Sequence, residues 1–95
     1  VAIISFADAR TRRFAGGEFV KQFAAFARVA ELKLDQLEAA RSPADLAALP
    51  GNRLEMLKGD RSGQYSIRIN DQWRICFRWP GDAAGPIDVE IVDYH

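Results

Sequence analysis

Gly51–Trp79 reads GNRLEMLKGDRSGQYSIRINDQWRICFRW, and the rhythm of its side chains decides the fold. Tyr65, Ile67 and Ile69 alternate with Ser66 and Arg68, and Trp73, Ile75, Phe77 and Trp79 alternate with Arg74, Cys76 and Arg78. A period of two with β-branched and aromatic residues on one side is the pattern of a half-buried strand. Arg53–Leu57 is expected as a further strand, Gly59–Gly63 (GDRSG) as a turn, and Asn70–Gln72 as the turn between the two alternating runs. Residues two apart on a strand project the same way, so Arg68, Arg74 and Arg78 should share one sheet face. Trp73, Ile75, Phe77 and Trp79 should take the core side.

Downstream, PGDAAGP forms a longer hairpin loop and Ile87–Tyr94 a last strand. Upstream, the short β-branched run Ala2–Phe6 reads as a strand. Asp8 is placed to cap a short helix over ARTRRFA, which Gly16-Gly17 should stop. Phe23, Phe26, Ala30, Leu34 and Leu37 then recur at three- and four-residue steps, one apolar stripe along a helix ending near Ala40. Periodicity leaves the start of that helix open between Glu18 and Ala24. Val29 and Leu32 form a narrower stripe, expected to pack on the first helix. Ser42 before Pro43 suits the start of a turn or two of helix over Pro43–Ala48, and Pro50-Gly51 ends it. Two helices followed by an antiparallel meander imply an α+β domain, its helices packed on one face of a small twisted sheet.

The chain has 95 residues and a formal net charge of zero, which suits one domain over 1–95. No apolar run approaches the ~20 residues of a membrane span, and no basic leader with an apolar segment stands at the start, so a cytoplasmic protein is expected. Cys76 is the single cysteine and His95 the single histidine, which argues against a disulfide or a metal site, so no cofactor is expected. Cys76 reads as a small core or sheet-face residue. Charge is informative once divided. Residues 51–80 carry six basic and three acidic side chains, and residues 81–95 carry four acidic and no Lys or Arg. A local positive excess fits either a solvated strand face or an anion-facing site.

The block LPGNRLEMLKGDRSGQYSIRINDQWRICFRW and the closing VEIVDYH resemble the HigB-like "killer" branch of the RelE/ParE superfamily of bacterial toxins. The resemblance covers Leu49–His95 closely and the preceding helices in outline. It implies the α+β fold read above. It also implies an mRNA interferase that cuts messenger RNA in the ribosomal A site, silenced by a small helix-turn-helix antitoxin of the HigA kind, with operator DNA reached only through that antitoxin. Carried over by position, Lys58, Arg74, Asp93, Tyr94 and His95 are implied at the cleavage site. Gln72 falls where relatives often have a polar residue near the RNA, and Arg68 and Arg78 of the shared sheet face, with Arg61, are expected as further RNA contacts. At the position of Glu55 some relatives have a histidine, and toxins of this fold that bind ribosomes are commonly basic. This chain departs on both counts.

Metal-independent RNA cleavage needs a proton acceptor for the ribose 2′-hydroxyl, charge stabilisation at the phosphate, and a proton donor for the leaving 5′-oxygen. Arg74 suits the second task, because a planar guanidinium bridges two phosphate oxygens and stays charged. His95 suits proton transfer near neutral pH. Lys58 suits a phosphate clamp or a proton donor, Tyr94 stacking or hydrogen bonding, and Asp93 the orientation of a partner. Two other functions share the fold and stay open: a non-enzymatic ParE-like poison of a target such as DNA gyrase, and a weakly active member acting mainly through its antitoxin.

Overall fold

The alternating runs do pair as an antiparallel meander. In the computed structural model, which describes residues 3–93, four strands lie in the order β1 (Glu55–Met56), β2 (Tyr65–Arg68), β3 (Trp73–Arg78) and β4 (Ile87–Asp93). The register sets Ile67 opposite Ile75 and Ile75 opposite Ile91, a row in which each side chain is at most 1% exposed. Tyr65 stacks on Phe77 with ring centroids 5.7 Å apart. This is the apolar face that the period of two demanded.

The helices cover that face. Asp8 caps α1 (Ala9–Ala15), its side chain accepting from the Thr11 amide, and the helix stops at Gly16 as expected. Next comes a 3-10 segment, Lys21–Phe26, running into α2 (Ala27–Ala39). The tight start has a physical reason. Val20 offers no side-chain cap, and three residues per turn place Phe23 and Phe26 on one side, where both are buried. Both rings meet Trp73, with centroids 5.8 and 5.0 Å away. Ala30, Leu34 and Leu37 continue the stripe into the core. The short α3 (Pro43–Ala47) adds Leu46, although Ser42 makes no side-chain cap bond.

Three expectations are corrected. Of Ala2–Phe6, Ala2 lies outside the described residues and the rest forms a single parallel bridge, Phe6 to Val89, rather than a strand. The edge of β4 is met there by isolated backbone bonds and by Thr11, whose hydroxyl accepts from the Ile91 amide at 3.0 Å. The strand over Arg53–Leu57 shrinks to Glu55–Met56, because Arg53 has a positive φ of 47° that bends the chain. Finally, Val29 and Leu32 are 41% and 55% exposed. The short α1 spends its apolar face on the 3-10 segment and β4, with Phe14 edge-on to Phe23 at 5.4 Å, and leaves that side of α2 bare.

Candidate functional site

The face of the sheet away from the helices carries the arginines. Arg68 and Arg74 are direct cross-strand partners, so the pleat projects them together, as expected. Arg78 follows Arg74 by four residues on the same strand, past an irregularity in the pairing with β4 between Cys76 and Arg78. Ile75 and Phe77 are fully buried on the other face, with Trp73 and Trp79 packed at its margin.

Each arginine of this face is held by a carboxylate. Arg74 donates to Glu55 with 2.8 Å between Nη1 and Oε1. Arg61, on the turn after β1, reaches Gln64 at 3.1 Å and Glu90 of β4 at 3.5 Å. Arg78 lies 3.9 Å from Asp88, and Arg68 pairs with Asp71 in the turn to β3. Four of the six basic side chains of the block are therefore balanced where they stand, while Arg53 and Lys58 have no carboxylate within 4.0 Å among the described residues. Exposed pairs of this kind contribute ~0–1 kcal/mol each, so they orient the guanidiniums more than they stabilise the fold. The Arg74–Glu55 pair differs in burial: the arginine side chain is 18% exposed and the glutamate 55%. Packing fixes the cation, and its partner is free to move aside.

The remaining candidates fall around this pair. Lys58 is exposed and stands at the start of the turn Gly59–Arg61, three residues after Glu55, with no hydrogen bond or ion pair among the described residues. Asp93 is paired with Trp73, one position out of register with Arg74, and its Oδ2 accepts from Gln72 Nε2 at 2.8 Å. Gln72 and Asp93 thus form a second polar pair where β3 begins and β4 ends. Tyr94 and His95 lie outside the described residues. Cys76 is fully buried between Ser66 and Glu90 in the cross-strand register. Burial, reinforced by Glu90, pushes its thiol up to about 11 against the opposing pull of Arg61 and Arg74, which makes it inert packing. No group of three or more metal-ligating side chains occurs among the described residues.

Sequence reasoning missed two features. Glu55 looked like a departure from a pattern, and the structure makes it the partner of the central arginine. The second is a buried polar cluster beneath β1. Lys33 of α2, 7% exposed, donates to Asn52 Oδ1, and the fully buried Asn52 donates to Gln36 Oε1 at 3.0 Å and to the Leu46 carbonyl at 3.1 Å. The Asn52 carbonyl accepts from the Arg68 amide at 2.7 Å. This anchor stands three positions before Glu55, so the cluster fixes where β1 enters the site. Its signal in the sequence was a lysine amid the apolar stripe of α2, a position that solvent rarely reaches.

Comparison with known proteins places this geometry in a family. The family model described as RelE-like toxin of type II toxin-antitoxin system HigB matches residues 5–95. Toxin HigB-1 of Vibrio cholerae serotype O1 is 49% identical over 52 residues, which are 55% of this chain and 55% of that protein. The aligned part thus spans about half the length of that curated relative. An uncharacterized protein of Haemophilus influenzae is 29% identical over 68 residues, 72% of this chain and 67% of that one. Among solved structures, a YoeB/ParE toxin from Agrobacterium tumefaciens superposes with a TM-score of 0.57 over the whole chain and 99% of its own, at 19% identity. That likeness bears on the fold alone. No helix among the described residues is long and apolar enough to cross a membrane.

Proposed function

This chain belongs to the HigB-like family of RelE-like toxins of type II toxin-antitoxin systems, and we propose that it is a ribosome-dependent endoribonuclease that cleaves messenger RNA without a metal and is silenced by a helix-turn-helix antitoxin. The observation that carries the reading is the Arg74–Glu55 pair, a cation fixed by packing beside a movable carboxylate. A phosphodiester offers Arg74 the same bidentate geometry as a carboxylate. On this reading the substrate phosphate displaces Glu55 from Arg74 and leaves the carboxylate beside the adjoining ribose.

The proposed reaction is a transesterification. The 2′-hydroxyl gives its proton to a base and its oxygen bonds to phosphorus. The bond from phosphorus to the 5′-oxygen breaks, and that oxygen takes a proton, leaving a 2′,3′-cyclic phosphate and a 5′-hydroxyl. Arg74 stabilises the charge of the pentavalent state. Glu55 and His95 are the proton carriers, and Lys58 is the further cation next to Glu55. Gln72 and Asp93, with Arg61, Arg68 and Arg78, are proposed to line the path of the message, and Tyr94 to stack on a base.

Primer extension on a translated message, with and without ribosomes, tests the proposal. Wild type should cut only when ribosomes are present. Arg74→Ala should lose about 10²–10³ in rate, the usual cost of one preorganised charge donor. Cleavage at full rate by Arg74→Ala would remove Arg74 from the chemistry. A DNA-damage response with intact message would favour the gyrase-directed alternative.

A further inference from the structure

The face of the sheet away from the helices hides two small residues. Ser66 and Cys76 alternate with Arg68 and Arg74, so all four project from that face. Ser66 and Cys76 are nonetheless 0% exposed. They occupy the middle of one cross-strand row, Glu55–Ser66–Cys76–Glu90, with a carboxylate at each end. Their cover has to come from side chains that reach across the sheet, and two arginines do so. Arg74 on β3 reaches Glu55 on β1, and therefore passes over β2 beside Ser66. Arg61, in the turn between β1 and β2, reaches Glu90 on β4. The charges of Arg61, Glu90 and Arg74 all act on the Cys76 thiol beneath them.

That cover leaves one group unsatisfied. Ser66 Oγ is buried and has no hydrogen-bond partner, the one such side-chain atom among the described residues. Buried hydroxyls are nearly always bonded, and one left without a partner works against the fold. Packing beneath the arginines asks only for a small side chain, which alanine would supply without that cost. The hydroxyl therefore calls for a reason other than packing.

We propose that Ser66 Oγ donates a hydrogen bond to a non-bridging oxygen of the scissile phosphate and completes, with Arg74, an anion seat that Glu55 fills in the free protein. Glu55 is both the carboxylate on Arg74 and the direct cross-strand partner of Ser66. An anion that takes its place on Arg74 therefore arrives next to the orphaned hydroxyl. A carboxylate is planar, whereas a phosphate group is tetrahedral and directs oxygens out of the plane of the guanidinium as well as along it. A phosphate can thus meet Arg74 and Ser66 together, and its oxygens accept only, which matches the one O–H that serine has to give. The serine keeps its proton and forms no covalent bond. The inference rests on the nuclease reading for the identity of the anion and adds to it a binding residue that the free protein leaves unpartnered.

The test compares full-length wild type with Ser66→Ala and Ser66→Cys, which remove the strong donor and keep a small side chain. Ser66→Ala should leave Tm unchanged or raised, because it deletes an unsatisfied buried hydroxyl. Inorganic phosphate should raise the Tm of wild type by binding the folded state. The dissociation constant drawn from that rise should be about tenfold or more higher in both variants. On ribosomes programmed with a defined message, kcat/KM for cleavage should fall about 10–100-fold in both. A purely structural serine predicts phosphate affinity and cleavage unchanged in Ser66→Ala, and that result would overturn the inference while leaving the nuclease reading intact. A lowered Tm in Ser66→Ala would show the hydroxyl already bonded in the free protein, to a trapped water for instance, and would overturn it as well. Phosphate binding that depends on Ser66 in a wild type that never cleaves would uphold the seat and overturn the nuclease reading.

Discussion

Replacing Asn52 with Ala should cost more stability than any surface change near the site. The side chain has no exposure and joins three elements: Lys33 and Gln36 on α2, the Leu46 carbonyl on α3, and the chain entering β1. Truncation leaves the Lys33 ammonium buried without its acceptor. A hydrogen bond to a charged group contributes ~1.5–3 kcal/mol, and a bare buried carbonyl at Leu46 costs ~1–3 kcal/mol. Gln36 is partly exposed and can turn to water. The sum is about 2.5–6 kcal/mol, against a total of ~5–14 kcal/mol for a chain of this length. Urea unfolding followed by Trp73 and Trp79 fluorescence, with a slope of ~1–2 kcal/mol per molar, should show the midpoint falling by at least about 1 M. In a Lys33→Met background the same truncation should cost ~1.5–3 kcal/mol less, because the stranded charge is gone. A midpoint shift under ~0.5 M, or an equal cost in both backgrounds, would refute the reasoning.

The same lysine gives a pH signature. Burial, with Arg68 adding to it, lowers the Lys33 pKa in the fold. The unfolded chain therefore binds the proton more tightly, and stability should rise with pH from the folded value up to the ordinary one. Urea midpoints for wild type minus Lys33→Met should climb as pH approaches the ordinary lysine value of about 10.4 from below. Cys76, buried and shifted up to about 11, should resist a thiol reagent at pH 8 in the native state and react on unfolding. Gly63→Ala should lower Tm by about 5–10 °C. Its φ is +89°, and a Cβ there would stand 2.8 Å from Arg78 Nη1, so the left-handed strain of ~1–2 kcal/mol comes with displacement of that guanidinium.

The sheet and α1 were legible because each rests on local rules. Alternation in Tyr65–Ile69 and Trp73–Trp79 sets which side faces the core, and Asp8 with Gly16 brackets a short helix. What was illegible depends on partners distant in the chain. Period alone could not tell that α1 would be used up by Phe23 and Ile91, 9 and 80 residues from Phe14 and Thr11 respectively, leaving Val29 and Leu32 in solvent. The strand over Arg53–Leu57 broke at a positive φ on an arginine, which no propensity favours. At the site, Arg74 and Arg68 fell where alternation put them. The carboxylate that holds Arg74 could not be read off, since Glu55 reaches it across 19 residues.

The two charge arrangements have different physical consequences, which the formal neutrality of the chain conceals. A guanidinium already held by a carboxylate projects the field of a dipole, which decays within a few ångströms and less than the Debye length of ~8–10 Å at physiological salt. Arg61, Arg68, Arg74 and Arg78 are of this kind. They can recognise a phosphate at contact, having already lost much of their rotamer freedom to their carboxylates, but they cannot draw one from solution. Arg12, Arg13, Lys21 and Arg28, exposed and with no carboxylate within 4.0 Å among the described residues, keep their monopole field, which reaches farther. Attraction and recognition thus fall to different side chains. Under the proposed function, RNA is gripped at the sheet, where each phosphate must displace a carboxylate that holds its arginine by ~1 kcal/mol or less. Of those carboxylates, Glu55 is the one released beside the arginine proposed to stabilise the transition state. The exchange that binds the phosphate is therefore also the step that frees a proton acceptor next to it.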